Sequence, residues 1–308
     1  MAGLDHSTTI LIVKPVGPAA LEALRSEPNA GRLFSFHYPG FDSTISLPEQ
    51  SGSRECTPFI LPPPEIQLHL KFDPTPKNPQ RGFVFGSKEK TCDILLLDKP
   101  SPGRASSGIS GEHFCIEFNW NSGYALVNNI SRSGTRILIK DGVRSLEPGI
   151  KRALFPEEQT RIQVGALEFD IIFPVRDQHQ NRLYERNWEI FKARCLGSDP
   201  NVDGLNLETK RKITEFVAIV QGRKGEKYKV NDEIGAGDFG IVRKAVREGD
   251  ATLFAAKVFS KQTAKLTMEI ELMEQINHVR PYPDSYSRTY TDISLRNISS
   301  NTRMKSER

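Results

Sequence analysis

The chain has 308 residues, with 42 lysines and arginines against 38 aspartates and glutamates, a formal net charge of +4, 37% hydrophobic and 26% charged residues. This balance predicts a folded, soluble chain long enough for about two domains, and its interspersed charges give no sign of a nucleic-acid partner. No stretch nears the roughly 18 apolar residues of a membrane helix, and the early apolar run Ile10–Val13 is too short for a secretory signal core, so neither membrane insertion nor secretion is expected.

Pro15, Pro18, Pro28, Pro39, Pro48 and Pro58 punctuate the first 60 residues, and Ser43–Cys56 is polar. A mostly disordered region is expected over 1–60, with a short strand offered only by Thr8–Val13. From Glu65 the pattern changes: Ile66, Leu68, Leu70 and Phe72 alternate with Gln67, His69 and Lys71, the period of a half-buried strand. Further strands are expected at Phe83–Phe85, Asp93–Leu97, Phe114–Phe118, Tyr124–Val127 and Thr135–Ile139. Arg161–Val164, Gly165 and Leu167–Phe173 read as a hairpin. Many short strands without an intervening helical period predict a mainly β domain, a sandwich or barrel, over 61–176.

Pro174 closes that domain. A partly helical linker over 177–222 is expected, since Leu183, Trp188, Ile190, Phe191 and Leu196 punctuate Gln178–Leu196 at helical intervals. A polar break, Gly197–Leu205, follows, and Leu207–Val220 fits helix or strand. A second β-rich unit spans 223–280: strand-like Tyr228–Ile234, a glycine-rich turn Gly235–Gly240, strand-like Ile241–Val246, a third strand Thr252–Phe259 and a helical pattern over Ala264–Asn277. Beyond His278 apolar residues become scarce, and 281–308 is expected to be a disordered tail.

Cys56, Cys92, Cys115 and Cys195 stand far apart with no C-x-x-C pair, so neither a zinc site nor a disulfide framework is expected. Reduced thiols in a cytoplasmic or nuclear protein are expected, with Cys92 and Cys115 in the core.

Three pieces lie in order within the first β domain: Phe85-Gly86-Ser87, Ile109-Ser110-Gly111-Glu112-His113-Phe114 and Asn129-Ile130-Ser131-Arg132-Ser133-Gly134-Thr135. With the strands around them, these resemble the forkhead-associated (FHA) domain. The resemblance implies a β-sandwich whose end loops bind a phosphothreonine peptide or protein. A phosphate dianion needs converging, charge-assisted donors. By resemblance, Ser110 is the serine whose hydroxyl bonds the phosphate. His113 braces the loop from behind, and Arg132, Ser133, Gly134 and Thr135 belong to the peptide-reading turn. The family usually has Gly-Arg where this chain has Gly86-Ser87. Lys88 follows as a point charge rather than a forked donor, and Arg104 and Arg132 are the remaining guanidinium candidates.

In the second unit, Gly235-Ala236-Gly237-Asp238-Phe239-Gly240-Ile241-Val242 matches G-x-G-x-x-G-x-V. The dinucleotide-binding use of G-x-G-x-x-G leads into a helix. Here the glycines lead into a strand, and Phe254-Ala255-Ala256-Lys257-Val258 follows after a turn at Glu248-Gly249-Asp250. These residues resemble the small lobe of protein kinases. The resemblance implies that Gly235, Gly237 and Gly240 lie over ATP phosphates, Phe239 shields them and Val242 stands behind. Lys257 would neutralise the α- and β-phosphates, and Glu269 in the following helix, with Glu271 as fallback, would pair with it.

The H-R-D loop, D-F-G and A-P-E are not found after Lys257. His278-Val279-Arg280-Pro281 stands where the family continues differently, as a truncation or frame change would leave it. The order of the two domains resembles FHA-containing serine/threonine kinases of filamentous fungi. ATP and magnesium are the cofactors of the full-length family. This chain is expected to bind neither productively, to hold no metal, to contain no catalytic residue and to lack kinase activity of its own. Two alternatives stand beside a phosphothreonine-binding protein with a partial kinase lobe. One is an active kinase, if the chain is a fragment of a longer product. The other is a degenerate FHA scaffold without phosphate chemistry.

Overall fold

The computed structural model describes residues 5–36, 65–96, 108–198, 218–221, 225–237 and 240–259. The chain divides into two compact units. Unit 1 is Met1–Cys115, Asn129–Gly149 and Glu158–Leu207, and unit 2 is Ile116–Asn128, Ile150–Glu157 and Glu208–Arg308. The fold is mainly β, as expected, with three sheets among the described residues.

Unit 1 is built on a seven-stranded antiparallel sheet. In chain order its strands are β1 (Thr9–Val16), β2 (Leu33–Phe36), β3 (Glu65–Lys71), β8 (Thr135–Ile139), β9 (Gly142–Leu146), β11 (Thr160–Val164) and β12 (Leu167–Ile172), arranged β2-β3-β1-β12-β11-β8-β9. The expected hairpin is β11–β12, with Ile162 opposite Phe169.

The expectation of a mostly disordered start is corrected over residues 9–36. β1 lies between β3 and β12, with Ile10, Leu11, Ile12 and Val13 all buried. A strand buried on both faces carries a continuous apolar run rather than an alternation. Two of the prolines that suggested irregular chain instead open helical turns. Pro18 stands in the first turn of helix α1 (Gly17–Leu24), and Pro28 in that of a 3-10 segment, Glu27–Arg32, where a missing amide costs nothing. Buried Asn29 then behaves like a strand partner: Nδ2 donates to Leu95 O at 2.8 Å and Oδ1 accepts Leu95 N at 2.9 Å.

Helix α2 has the expected bounds, Gln178–Leu196. Asp177 and Gln180 form a reciprocal capping box at its start, and Gly197 ends it at φ 66°. It packs into unit 1 rather than standing free as a linker: Phe191 lies 5.4 Å from Phe72 and stacks at 6.4 Å on Phe83, centroid to centroid.

A five-stranded sheet contains β4 (Phe83–Gly86), β5 (Ile94–Leu95), β6 (Phe114–Phe118), β7 (Ala125–Asn129) and β10 (Lys151–Ala153), in the order β10-β7-β6-β4-β5. Its β4–β5 pair is parallel. Sequence reading missed β9 and β10. β9 carries one buried residue in five and β10 has three residues in all, too little for a period to show.

Unit 2 contains an antiparallel four-stranded sheet, β13 (Ala218–Gln221), β14 (Lys227–Gly237), β15 (Gly240–Arg247) and β16 (Leu253–Phe259), in sequential order. Tyr228, Val230, Ala245, Phe254 and Ala256 make its core. Unit 2 also takes in Ile116–Asn128 and Ile150–Glu157, so the compact units cut across the sequence-based boundaries at 176 and 223. The helical pattern at 264–277 and the tail 281–308 lie outside the described residues.

Candidate functional site

Three connections of unit 1 converge at the ends of β4, β6 and β8. β4 ends on Gly86, and the chain there runs against the segment leading into β6. His113 N donates to Phe85 O at 2.8 Å, Ser87 N to Ser110 O at 3.1 Å and Lys88 N to Gly111 O at 2.9 Å. The approach is close enough to require glycine: a Cβ on Gly86 would sit 2.3 Å from Gly111 O and 2.9 Å from Glu112 Cα. Phe85 stacks on Phe114 at 4.4 Å beneath this crossing.

His113 is fully buried and ties two connections together. Its Nδ1 accepts Ser110 N at 3.0 Å, and its Nε2 lies 2.9 Å from Gly134 O. An amide can only donate and a carbonyl can only accept, so the ring is neutral with its proton on Nε2. Burial lowers its pKa below the usual 6.5, against the opposing pull of the Gly134 carbonyl. His113 thus joins the Ser110 amide to the Gly134 carbonyl across the two connections.

The turn between β7 and β8 is held from inside. Ser110 Oγ and Ser131 Oγ are 2.5 Å apart, and Ser131 Oγ also accepts Ser133 N at 3.0 Å. Behind them stands Asn129, fully buried. Its Oδ1 accepts Ser131 N and Thr135 Oγ1, each at 3.0 Å, while Nδ2 donates to Ser131 O at 3.1 Å and Leu146 O at 2.7 Å. Gly134 takes φ 77° at the end of the turn, where a side chain would be strained.

Thr135 therefore differs from the expectation of a peptide contact. It is fully buried with its hydroxyl spent on Asn129, and it braces the turn. Ser87, Lys88, Arg132 and Ser133 have exposed side chains around the paired hydroxyls, and the Lys88 chain passes beside Gly111. Arg104 lies outside the described residues. Sequence reading missed Asn129, the Ser131 hydroxyl and the steric demand at Gly86. The available signal for the first was an amide side chain closing the apolar run Ala125–Val127 just before a Ser-x-Ser-Gly turn.

In unit 2 the glycine-rich hairpin has the expected strand–turn–strand form. Gly237 pairs with Gly240 at the tip, Gly235 lies opposite Val242, and Val242 lies opposite Lys257. One cross-strand row thus carries Gly235, Val242 and Lys257. A Cβ on Gly235 would meet nothing within 4 Å, so the protein's own packing does not demand glycine there; close approach of a ligand to the backbone would. Phe239 and Glu269 lie outside the described residues.

No known protein-family profile matches the chain. It is 23% identical over 210 residues to the serine/threonine-protein kinase RAD53 of Saccharomyces cerevisiae, an alignment covering 65% of this chain and 24% of that protein. The chain thus spans about a quarter of that relative's length. A solved structure of Rad53 1-466 in complex with AMP-PNP aligns at 22% identity with a TM-score of 0.32, covering 64% of this chain and 40% of that one. The chain is distantly similar to a serine/threonine-protein kinase over about two thirds of its length, and it is mainly β.

Proposed function

We propose that the loops of unit 1 bind a phosphothreonine-containing peptide or protein, and that the chain is related to FHA-containing serine/threonine kinases. The observation that carries this reading is the closed circuit Ser110–His113–Gly134 and Ser110–Ser131–Asn129. It holds the half-buried Ser110 hydroxyl against the buried Ser131 hydroxyl, while Lys88 and Arg132 are exposed on the adjoining loops. A phosphate dianion accepting from a hydroxyl, backbone amides and nearby cations fits that arrangement. The preset geometry lowers the ordering cost of binding.

Titration with a phosphothreonine peptide and its plain counterpart tests the reading. The phosphorylated peptide is expected to bind much more tightly. Ser110→Ala is expected to weaken it by roughly tenfold, since a hydrogen bond to a charged group contributes about 1.5–3 kcal/mol. Ser87→Arg is expected to tighten it by restoring a forked donor. Equal affinity for both peptides, unchanged by Ser110→Ala, would mean an interaction scaffold without phosphate chemistry.

For the hairpin, the row Gly235–Val242–Lys257 supports a nucleotide-phosphate element. In a longer product it would serve Mg-ATP-dependent phosphorylation of serine or threonine. The 308-residue chain carries no H-R-D or D-F-G after Lys257, and phosphoryl transfer depends on the groups those motifs supply. Purified as such, it is expected to show no turnover with Mg-ATP, and Lys257→Ala is expected to change nothing. The buried free thiols Cys92, Cys115 and Cys195 suit a reducing compartment, cytoplasm or nucleus. No helix among the described residues is long and apolar enough to cross a membrane.

A further inference from the structure

The turn that joins β15 to β16, far from the glycine tip, is built in an unusual way. Arg247 Nε donates to Asp250 Oδ1 at 2.9 Å and Asp250 Oδ1 also accepts Thr252 N at 3.0 Å, closing the turn from within. Ala251 takes φ 58°, the one positive φ among described non-glycine residues, where a Cβ is disfavoured. Yet Ala251 is fully buried. Its methyl belongs to a cluster with Val246 of β15, Leu126 of β7, Ala153 of β10 and Phe155, with Tyr124 packed against them.

Polar contacts in the same unit surround that cluster. Ala153 N donates to Glu248 O at 2.7 Å, and Asn119 Nδ2 donates to Asp250 O at 2.9 Å. Arg152 Nη2 lies 4.0 Å from Glu248 Oε1 with both side chains almost wholly buried, at 3% and 6% exposure. Lys229 Nζ of β14 lies 4.1 Å from the Phe155 ring centroid. A strained alanine is costly in a free hairpin, and the buried ion pair and the lysine on the aromatic face form only with Arg152 and Phe155, outside the hairpin. Each is accounted for only if the turn is docked.

We propose that β7, β10 and Phe155 form an intramolecular docking face for the Arg247–Thr252 turn, so that the glycine-rich hairpin folds as part of this body and not as an independent lobe. The face holds β15 and β16 at their turn end, and their order depends on it. This goes beyond phosphopeptide binding and does not depend on it.

Amide hydrogen exchange on the full chain tests the brace, with the β11–β12 hairpin of unit 1 as internal control. Arg152→Met removes the guanidinium from the buried contact with Glu248. It is expected to speed exchange of β15 and β16 amides by roughly a hundredfold while β11 and β12 stay protected. Arg152→Met combined with Glu248→Leu replaces the pair by apolar groups and is expected to recover most of the protection. If Arg152→Met also deprotects β11 and β12, the chain has unfolded and Asn119→Ala decides, since it removes the Nδ2 bond to Asp250 O together with the Oδ1 bonds to Asn121 N and Ser122 N in its own turn. Faster exchange by roughly three- to tenfold, confined to the turn and the adjoining β15 and β16 amides, supports the brace. Wild-type exchange of β15 and β16 in both Asn119→Ala and Phe155→Ala overturns it. The readout involves no phosphopeptide, so its failure leaves the binding test of unit 1 untouched.

Discussion

The loop cluster of unit 1 and the glycine-rich hairpin of unit 2, the two regions proposed to receive phosphate oxygens, have opposite constructions. In the loops, a buried histidine, a buried asparagine and two hydroxyls fix the backbone before any ligand arrives. In the hairpin, side-chain hydrogen bonds gather at the base, where Arg247 joins Asp250 and Glu226 and Tyr228 donates to Glu226, with Arg243 donating to Asn231 O midway. Its tip is glycine facing glycine. The first arrangement uses buried polar groups to hold a fixed loop geometry. The second keeps a compliant tip on a stiff base, and β14 and β15 also slip register between Val230 and Gly235.

The largest expected effect follows from the tightest point of the loops. Gly86→Ala would place Cβ 2.3 Å from a backbone carbonyl oxygen. Backbone cannot rotate away as a side chain does, so destabilisation of about 3 kcal/mol or more is expected in urea unfolding. Gly235→Ala, where a Cβ meets nothing within 4 Å, should change stability little. Equal effects at the two glycines would erase the contrast between a fixed and a compliant region.

Asn129→Ala comes next. It strips partners from Ser131 N, Ser131 O, Thr135 Oγ1 and Leu146 O together. A loss of about 2–4 kcal/mol is expected, because unsatisfied buried polar groups cost more than the bonds themselves contribute. Weaker phosphopeptide binding should accompany it, measured on the folded fraction. A variant that keeps both stability and affinity would show that the turn does not rely on this brace.

His113 gives a smaller, pH-dependent effect. Its folded-state pKa lies below 6.5 because burial disfavours the imidazolium. As pH falls below 6.5 the unfolded chain takes up the proton first, so stability drops until the folded-state value is passed. One such group contributes at most about 1.4 kcal/mol per pH unit. Buried His69, held down to about 4 chiefly by desolvation, acts in the same direction, as does His6. His113→Gln should therefore flatten, without abolishing, the decline in stability between pH 6.5 and 5. An unchanged slope would mean that the ring is not held neutral.

Where apolar spacing reported burial, the sequence was readable. β3, β8, the β11–β12 hairpin and the bounds of α2 are all visible in it. The inner strand β1 was harder, because burial on both faces removes alternation, and because Pro18 and Pro28 act as helix openers rather than breakers. Ser110 and His113 were legible through the order of the short motifs around them. Asn129 was not, because its role depends on Leu146 and Thr135 reaching it through the fold. The shared cluster of Leu126, Ala153, Phe155, Val246 and Ala251 was equally hidden. Its members lie in segments far apart in sequence, and nothing in either local pattern announces the other.

The smallest expected effect is the most discriminating between the two regions. Gly134 and Ala251 both adopt positive φ, 77° and 58°. A Cβ on Gly134 would meet nothing within 4 Å, so Gly134→Ala adds only the left-handed penalty, about 1 kcal/mol. Ala251→Gly removes a similar penalty but also deletes a methyl from the cluster of Leu126, Ala153 and Phe155. Burying one such group contributes about 0.8 kcal/mol, and glycine further loosens the unfolded chain by a few tenths. The two sides nearly cancel, so the expected net change is within about 0.5 kcal/mol, in either direction. A turn exposed to water would lose no packing, and the same substitution would then stabilise it by relief of strain alone. Unfolding midpoints that rise clearly for Ala251→Gly would mean that the methyl is not buried against its neighbours. Midpoints that stay put, beside a measurable fall for Gly134→Ala, would show that the same backbone conformation is open in one region and packed in the other.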